Sequence, residues 1–226
     1  MNDATMELSL ALDDAVPVRT TESWHAPVTL TIPSGAFVTI VTTPTIASSL
    51  FRMTLGLDRA MGRLRVLGVE PHRLPRRELR AFRRRIGSSL LPDGLMANIT
   101  LRTNLMVPLI YGDGMARDDA YERAGETLSR FGLSAWADLR PSDLPPDSRQ
   151  VAALARAVVA RPELLLLHDP LTSLANTEAL RLLVMCREFA TTVIAAVHGE
   201  DEAVCQLADV SATWDDAGYR ELVRAS

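Results

Sequence analysis

The 226-residue sequence predicts an α/β protein built on a mostly parallel sheet, and three features of the chain predict it. Apolar, β-rich runs recur at 28–32, 36–41, 63–69, 164–168 and 191–198. Segments with apolar residues at i, i+3 and i+4 separate most of these runs, which is the period of a helix with one buried face. The later runs, LLLLH and TTVIAAVH, are apolar at nearly every position, as befits strands covered by helices on both sides.

Taken in order, the N-terminal MNDATMELSLALDDAVPV is acidic, with neither a positive n-region nor a sustained apolar h-region, so no signal peptide is expected in it. VTLTI (28–32) and AFVTIV (36–41) flank Pro-Ser-Gly and read as two strands joined by a tight turn. A helix is expected near 48–56, a strand at RLRVLGV (63–69), and an arginine-rich helix at LPRRELRAFRRR (74–85). From about 95 to 145 the pattern is helical; 116–133 carries it most clearly, with Gly132 as the C-terminal cap. Alternation then resumes: helix 148–160, strand 164–168, helix 175–189, strand 191–198, helix 200–208 and a last strand near 211–214. Without repeats or low-complexity linkers, residues 1–226 read as a single domain with a mainly helical subdomain at about 95–145.

A net charge of −4 argues against a nucleic-acid binder, whose footprint is a basic domain. Cys186 and Cys205 have no metal-ligand spacing and form no disulfide framework, which predicts a reducing compartment. The longest apolar runs fall well short of the roughly 20 residues that cross a bilayer. His25, His72, His168 and His198 are scattered without HxxxH or CxxC companions, so no metal site is expected, and no GxSxG nucleophile motif occurs. All 24 basic residues are arginine, so no lysine ammonium is available for a triphosphate. The run Arg76, Arg77, Arg80, Arg83, Arg84 and Arg85 fits a solvated or subunit-facing helix, and also a phosphate or lipid-headgroup patch.

In order and spacing, LPRRELRAFRRRIG, ITLRTNLMVPL, RPSDL, ALARAVVARPELLLLHDPLTSL and TTVIAAVHGEDEA resemble the ATP-binding-cassette (ABC) ATPases, and most closely the branch serving lipoprotein release, cell division and lipid transport. The resemblance runs from about 24 to 215. It implies the P-loop NTPase fold of the ABC ATPases: a mostly parallel sheet with a helical subdomain.

The resemblance also implies where nucleotide chemistry would sit. A phosphate loop needs glycines so that backbone N–H groups can approach the phosphates, a lysine for their charge, and Ser/Thr for magnesium. The matching stretch, VTTPTIASS, has no glycine; Thr45 lies within it, Pro44 lacks an N–H, and Ala47 falls at the lysine position. Ser48 and Ser49 remain, to cap the following helix or to meet magnesium. The family glutamine falls at Leu91. The signature motif reads LPPDS: Pro145 and Pro146 remove donors, Asp147 brings a negative charge, and Asp147 with Gln150 has the spacing of a capping box before Ser148 and the helix beyond.

At the Walker B match, His168 replaces the magnesium-shell aspartate and Asp169 the catalytic glutamate; Asp169 reads as a strand-end carboxylate or a residual general base. Ala175 falls at the aspartate that couples two cassettes, and no aromatic residue precedes Trp24 to stack on adenine. His198 matches the family switch histidine, as a strand-end residue or a γ-phosphate sensor.

These replacements lead to the expectation of a degenerate cassette, a pseudo-ATPase with no cofactor, acting as a non-catalytic or regulatory subunit of a membrane ABC transport complex. The alternative is an ATP-binding subunit with weak or atypical ATP and Mg binding in an asymmetric dimer. The expected partners are an ABC permease subunit, an intact ABC ATPase subunit, or both, in a homo- or heterodimer. The expected location is cytoplasmic, at the inner face of the cell membrane through a partner. Asn98, Leu101, Leu105, Val107 and Leu109 form the expected docking surface, although their apolar members also suit a core.

Overall fold

The structure, a computed structural model, describes residues 7–18, 24, 26–90, 94–170, 176–199, 202–215 and 218–222. Strands β1 (Leu8–Pro17), β2 (Val28–Pro33) and β3 (Phe37–Thr42) lead into helix α1 (Pro44–Thr54), followed by β4 (Ala60–Val66), α2 (Arg76–Arg84) and β5 (Ile86–Ser89). Helix α3 (Leu101–Val107) runs directly into a π-helical stretch, Pro108–Gly112, and then comes α4 (Arg117–Arg130). The chain ends in α5 (Pro146–Val158), β6 (Leu164–His168), α6 (Asn176–Phe189), β7 (Thr192–Val197), α7 (Glu202–Leu207), β8 (Val210–Asp215) and β9 (Gly218–Leu222).

The strands form two sheets. The larger has the order β5-β6-β7-β3-β8-β9; its first five strands are mutually parallel and β9 is antiparallel. The smaller is antiparallel, with the order β2-β1-β4. This is an α/β fold with a mostly parallel core, as the sequence predicts. In the strands at its centre the side-chain period of two decides which core each residue joins. Leu165, Leu167, Val193, Ala195 and Val197 pack against α3 to α7, whereas Leu164, Leu166, Ile194 and Ala196 pack against α1 and the small sheet.

Three features go beyond the sequence reading. The strands at 28–32 and 36–41 are joined by a tight turn, with Gly35 at φ 87°, but they enter different sheets. β3 is already paired on both sides, with β7 and β8, so it has no free edge for β2. The run at 63–69 likewise belongs to the small sheet, as β4. Finally, β1 and β9 are strands that the alternation did not reveal, because each carries a polar stretch that local pattern assigns to loop.

Helix α4 ends as predicted. Gly132 takes φ 72°, its N–H bonds to the Ser129 carbonyl at 3.0 Å, and the Leu133 N–H bonds to the Leu128 carbonyl at 2.8 Å, which is the paired closure of a Schellman cap.

Candidate functional site

The carboxyl ends of β3, β6 and β7 meet the start of α1, and this crevice is where an open α/β sheet binds ligands. A phosphate-gripping loop of the GxxxxGK(S/T) kind uses about eight residues to curl its amides round the anion. Here Thr43 alone separates β3 from α1. Pro44 occupies the first helical position, where its fixed φ is already helical, and Thr43 is the N-cap. The Thr43 hydroxyl accepts from the Ile46 N–H at 3.4 Å, and the Ala47 N–H bonds to the Thr43 carbonyl at 3.0 Å. Of the first three helical positions, Pro44 has no N–H and that of Ile46 is taken, so the helix start presents the amide of Thr45.

The helix therefore begins four residues earlier than the reading of 48–56, and this corrects the assignment of Ser48 and Ser49. They lie half-buried inside α1 and do not cap it. Ala47, at the lysine position, is fully buried among Leu50, Phe51 and the strands beneath. A cationic chain at that site would point into the core.

Beside α1, His168 ends β6, 4% exposed. Its ring meets Phe51 edge-to-face at 6.0 Å and His198 at 5.5 Å. Burial, reinforced by His198 and opposed by Asp169, holds the imidazole of His168 below the usual histidine range, and so neutral near pH 7. The Nδ1 of His198 lies 2.8 Å from the Thr42 carbonyl. A carbonyl only accepts, so the proton sits on Nδ1. The Nε2 atoms of both histidines are buried without a hydrogen-bond partner among the described residues. Asp169 follows His168 in the left-handed region, φ 47°, and its N–H bonds to the Ala196 carbonyl at 2.8 Å. The Gln150 amide donates to the Asp169 carbonyl at 3.2 Å, tying α5 to the end of β6.

At the start of α5 the expected capping box does not form. Pro145 is the N-cap with no side-chain bond and Pro146 is the first helical residue, so Asp147 stands inside the first turn, exposed, and Ser148 turns inward. Asp147 acts there through the helix dipole. Leu91, Ala175 and His25 lie outside the described residues.

Magnesium takes oxygen ligands in near-octahedral geometry. Among the described residues, a neutral imidazole, a buried alanine and a one-residue junction do not supply the donor set that magnesium or the phosphates of ATP take. No group of three or more His, Cys, Asp or Glu placed to hold a metal occurs among the described residues.

The expected docking surface is also revised. Leu101, Leu105 and Leu109 are 0% exposed and pack on α4 and α5, because their spacing of four places all three on the inner face of one helical run. Asn98 is exposed and Val107 half-exposed, and Tyr111, which the sequence reading passed over, is 79% exposed. Asn104, on the same helix, is buried and spends its amide on the carbonyls of Met96, Ile99 and Thr100. No described helix is long and apolar enough to cross a membrane.

A sequence profile of the family described as ABC transporter matches residues 26–172. The lipoprotein-releasing system ATP-binding protein LolD of Porphyromonas gingivalis is 34% identical over 180 residues, which cover 76% of this chain and 82% of that protein. The methionine import ATP-binding protein MetN of Rhizobium johnstonii is 33% identical over 174 residues, 74% of this chain, so the match spans about half (47%) of that relative's length. The macrolide export ATP-binding/permease protein MacB of Rhodopirellula baltica is 31% identical over 87% of this chain and 30% of its own length. Among solved structures, the ATP-binding cassette MJ0796, a dimer bound to ADP and Pi, superposes with a TM-score of 0.82 at 24% identity, covering 94% of this chain and 97% of that one. CbiO1 of Clostridium perfringens gives 0.77 at 19% identity, over 96% and 88% of the two chains. Both share this fold.

Proposed function

The chain belongs to the ATP-binding-cassette family of ABC transporters, and from that premise we propose that it is a non-catalytic cassette, a subunit that supplies the fold and docking surfaces of a transport complex without hydrolysing ATP. The observation that carries this reading is the one-residue junction between β3 and α1, with Ala47 buried behind it. A cassette without a phosphate loop has nothing to hold the charge that develops during phosphoryl transfer, and positioning plus electrostatics is nearly all that such catalysis consists of.

The partners that suit this role are a membrane permease, an intact ATPase subunit, or both, and they hold the chain at the inner face of the cell membrane. LolD and MetN are named as ATP-binding proteins, and MJ0796 is a dimer of cassettes. These relatives favour a second reading, an ATP-binding subunit with weak or atypical binding in an asymmetric pair.

Calorimetric titration with ATP, with and without magnesium, separates the two. The non-catalytic reading expects no saturable heat up to about millimolar nucleotide, which corresponds to a binding free energy weaker than about 4 kcal/mol. Micromolar, magnesium-dependent binding would overturn it in favour of the second.

A further inference from the structure

A cavity of about 360 Å³ opens on the far side of the molecule's arginine-rich helix, between the last turns of α2, the start of β5, the π-helical stretch and the last turns of α5. Its charged lining consists of Arg80, Arg83, Arg84 and Arg156, with Asp113 as the one carboxylate, and Tyr111 stands at its edge. The sequence by itself favours a solvated or subunit-facing helix for this arginine run over a phosphate or lipid-headgroup patch.

The four guanidinium groups are not equivalent. Arg83 is already committed: its Nε donates to the Leu55 carbonyl at 2.7 Å and its Nη2 to the Gly56 carbonyl at 3.2 Å, which pins α2 to the end of α1. Arg80, Arg84 and Arg156 make no hydrogen bond or ion pair among the described residues. Arg52, Arg85, Arg130, Arg181 and Arg187 each hold a carboxylate elsewhere on the surface, whereas these three guanidinium groups converge unpaired on one cavity.

Arg156 decides between a solvated face and a binding site. Arg84 lies in the last turn of α2, where a cation complements the helix dipole, and that accounts for an exposed arginine there. It does not account for Arg156, which is half-buried on α5 with its Nε wholly shielded from solvent and without an acceptor. A buried unpaired donor on a cation is costly, and the ordinary remedy is an anionic acceptor. The floor is rigid: a Cβ on Gly87 would meet the Ala157 carbonyl oxygen at 2.1 Å, so β5 and α5 are already in closest approach.

We propose that this cavity binds a multiply charged oxyanion, the phosphate or diphosphate group of a small molecule or of a lipid headgroup, through Arg80, Arg84 and Arg156. Planar guanidinium forks match phosphate oxygens two at a time, and an acceptor between these three groups satisfies the Nε of Arg156 as well as their charge. The site is separate from the start of α1 and needs no magnesium.

The test is titration of the whole protein with pyrophosphate at physiological ionic strength, without metal. Saturable binding is expected. The double variant R80Q/R84Q, which changes two exposed side chains and leaves the fold intact, is expected to weaken it roughly tenfold or more, as loss of charge-assisted hydrogen bonds does. R76Q/R77Q removes the same charge from the same helix away from the cavity and is expected to leave the affinity unchanged. R156Q, with folding checked by circular dichroism, is expected to weaken binding further. Flotation with phosphatidate-containing vesicles distinguishes the sources: flotation lost in R80Q/R84Q assigns a lipid headgroup, and pyrophosphate binding without flotation assigns a soluble phosphate. If neither probe shows a loss specific to R80Q/R84Q, the proposal fails.

Discussion

The Nδ1–H of His198 donates to the carbonyl of Thr42 across 2.8 Å and fastens the end of β7 to the last residue of β3, one residue before α1 begins. The histidine that the family resemblance marks as a phosphate sensor is held here by backbone. Its Nε2 is buried beside His168 without a hydrogen-bond partner among the described residues. The consequences of this packing beside the start of α1 are measurable.

Restoring the lysine does not restore a site. In Ala47→Lys the new side chain starts from a fully buried Cβ, so overpacking and burial of an ammonium are expected to cost about 2 kcal/mol or more. A lower urea midpoint with no gain in magnesium-ATP binding is the expected result. Tight binding by this variant would refute the idea that the short junction, and not the missing lysine alone, removes the cradle.

The buried histidine gives stability a pH dependence with a definite sign. The folded-state value of His168 is lowered, mainly by burial, so between that value and about 6.5 the unfolded chain binds more protons than the native one. Stability contributed by neutral His168 is present above about pH 6.5 and is lost as the pH falls through that window. The urea midpoint is expected to drop as the pH falls below about 6.5, and His168→Asn is expected to flatten that drop. An unchanged slope in the variant would assign the acid sensitivity elsewhere.

Cys186 is completely buried in α6, and burial pushes its thiol up to about 12. Thiolate is the reactive form, so native-state alkylation near neutral pH is expected to spare Cys186 and to modify it only when the chain unfolds. The unfolded thiol ionises near 9, so the stability this residue confers is lost as the pH rises from about 9 towards 12. Mass spectrometry of pulse-labelled protein across a urea series checks the coupling, and early labelling of Cys186 would contradict the packing.

Trp24 and Trp214 stack edge-to-face with centroids 4.4 Å apart, and the Trp24 indole N–H donates to the Ala26 carbonyl at 3.1 Å. This pair joins the segment before β2 to the distal side of the large sheet. Trp214→Ala is expected to cost about 3–5 kcal/mol, read as a shifted denaturation midpoint with an unchanged slope. A loss below about 1 kcal/mol would mean that the cavity collapses on neighbouring Tyr219.

Much of this was legible in the sequence. LLLLH and TTVIAAVH are apolar at nearly every position because β6 and β7 are covered on both faces, and that continuity identifies central parallel strands. Gly132 closes α4 because a left-handed cap follows from local chemistry alone. The cavity arginines, by contrast, come from α2 and α5, which lie some seventy residues apart, and no spacing rule connects them. The docking leucines were misplaced for a related reason: an amphipathic run has one apolar face, and sequence does not say whether that face meets a partner or its own core. Leu101, Leu105 and Leu109 found theirs in α4 and α5.

By itself the sequence determined the fold class and most of the strands and helices of the large α/β core. These depend on period, composition and residue type, which are local properties. Only the tertiary structure decided that Thr43 alone joins β3 to α1, that Ala47 faces the core, that β2 and β3 part into separate sheets, and that three unpaired arginines surround one cavity. Each of those is settled by which surfaces find one another in space, and burial is a property of the packed chain and not of any segment of it.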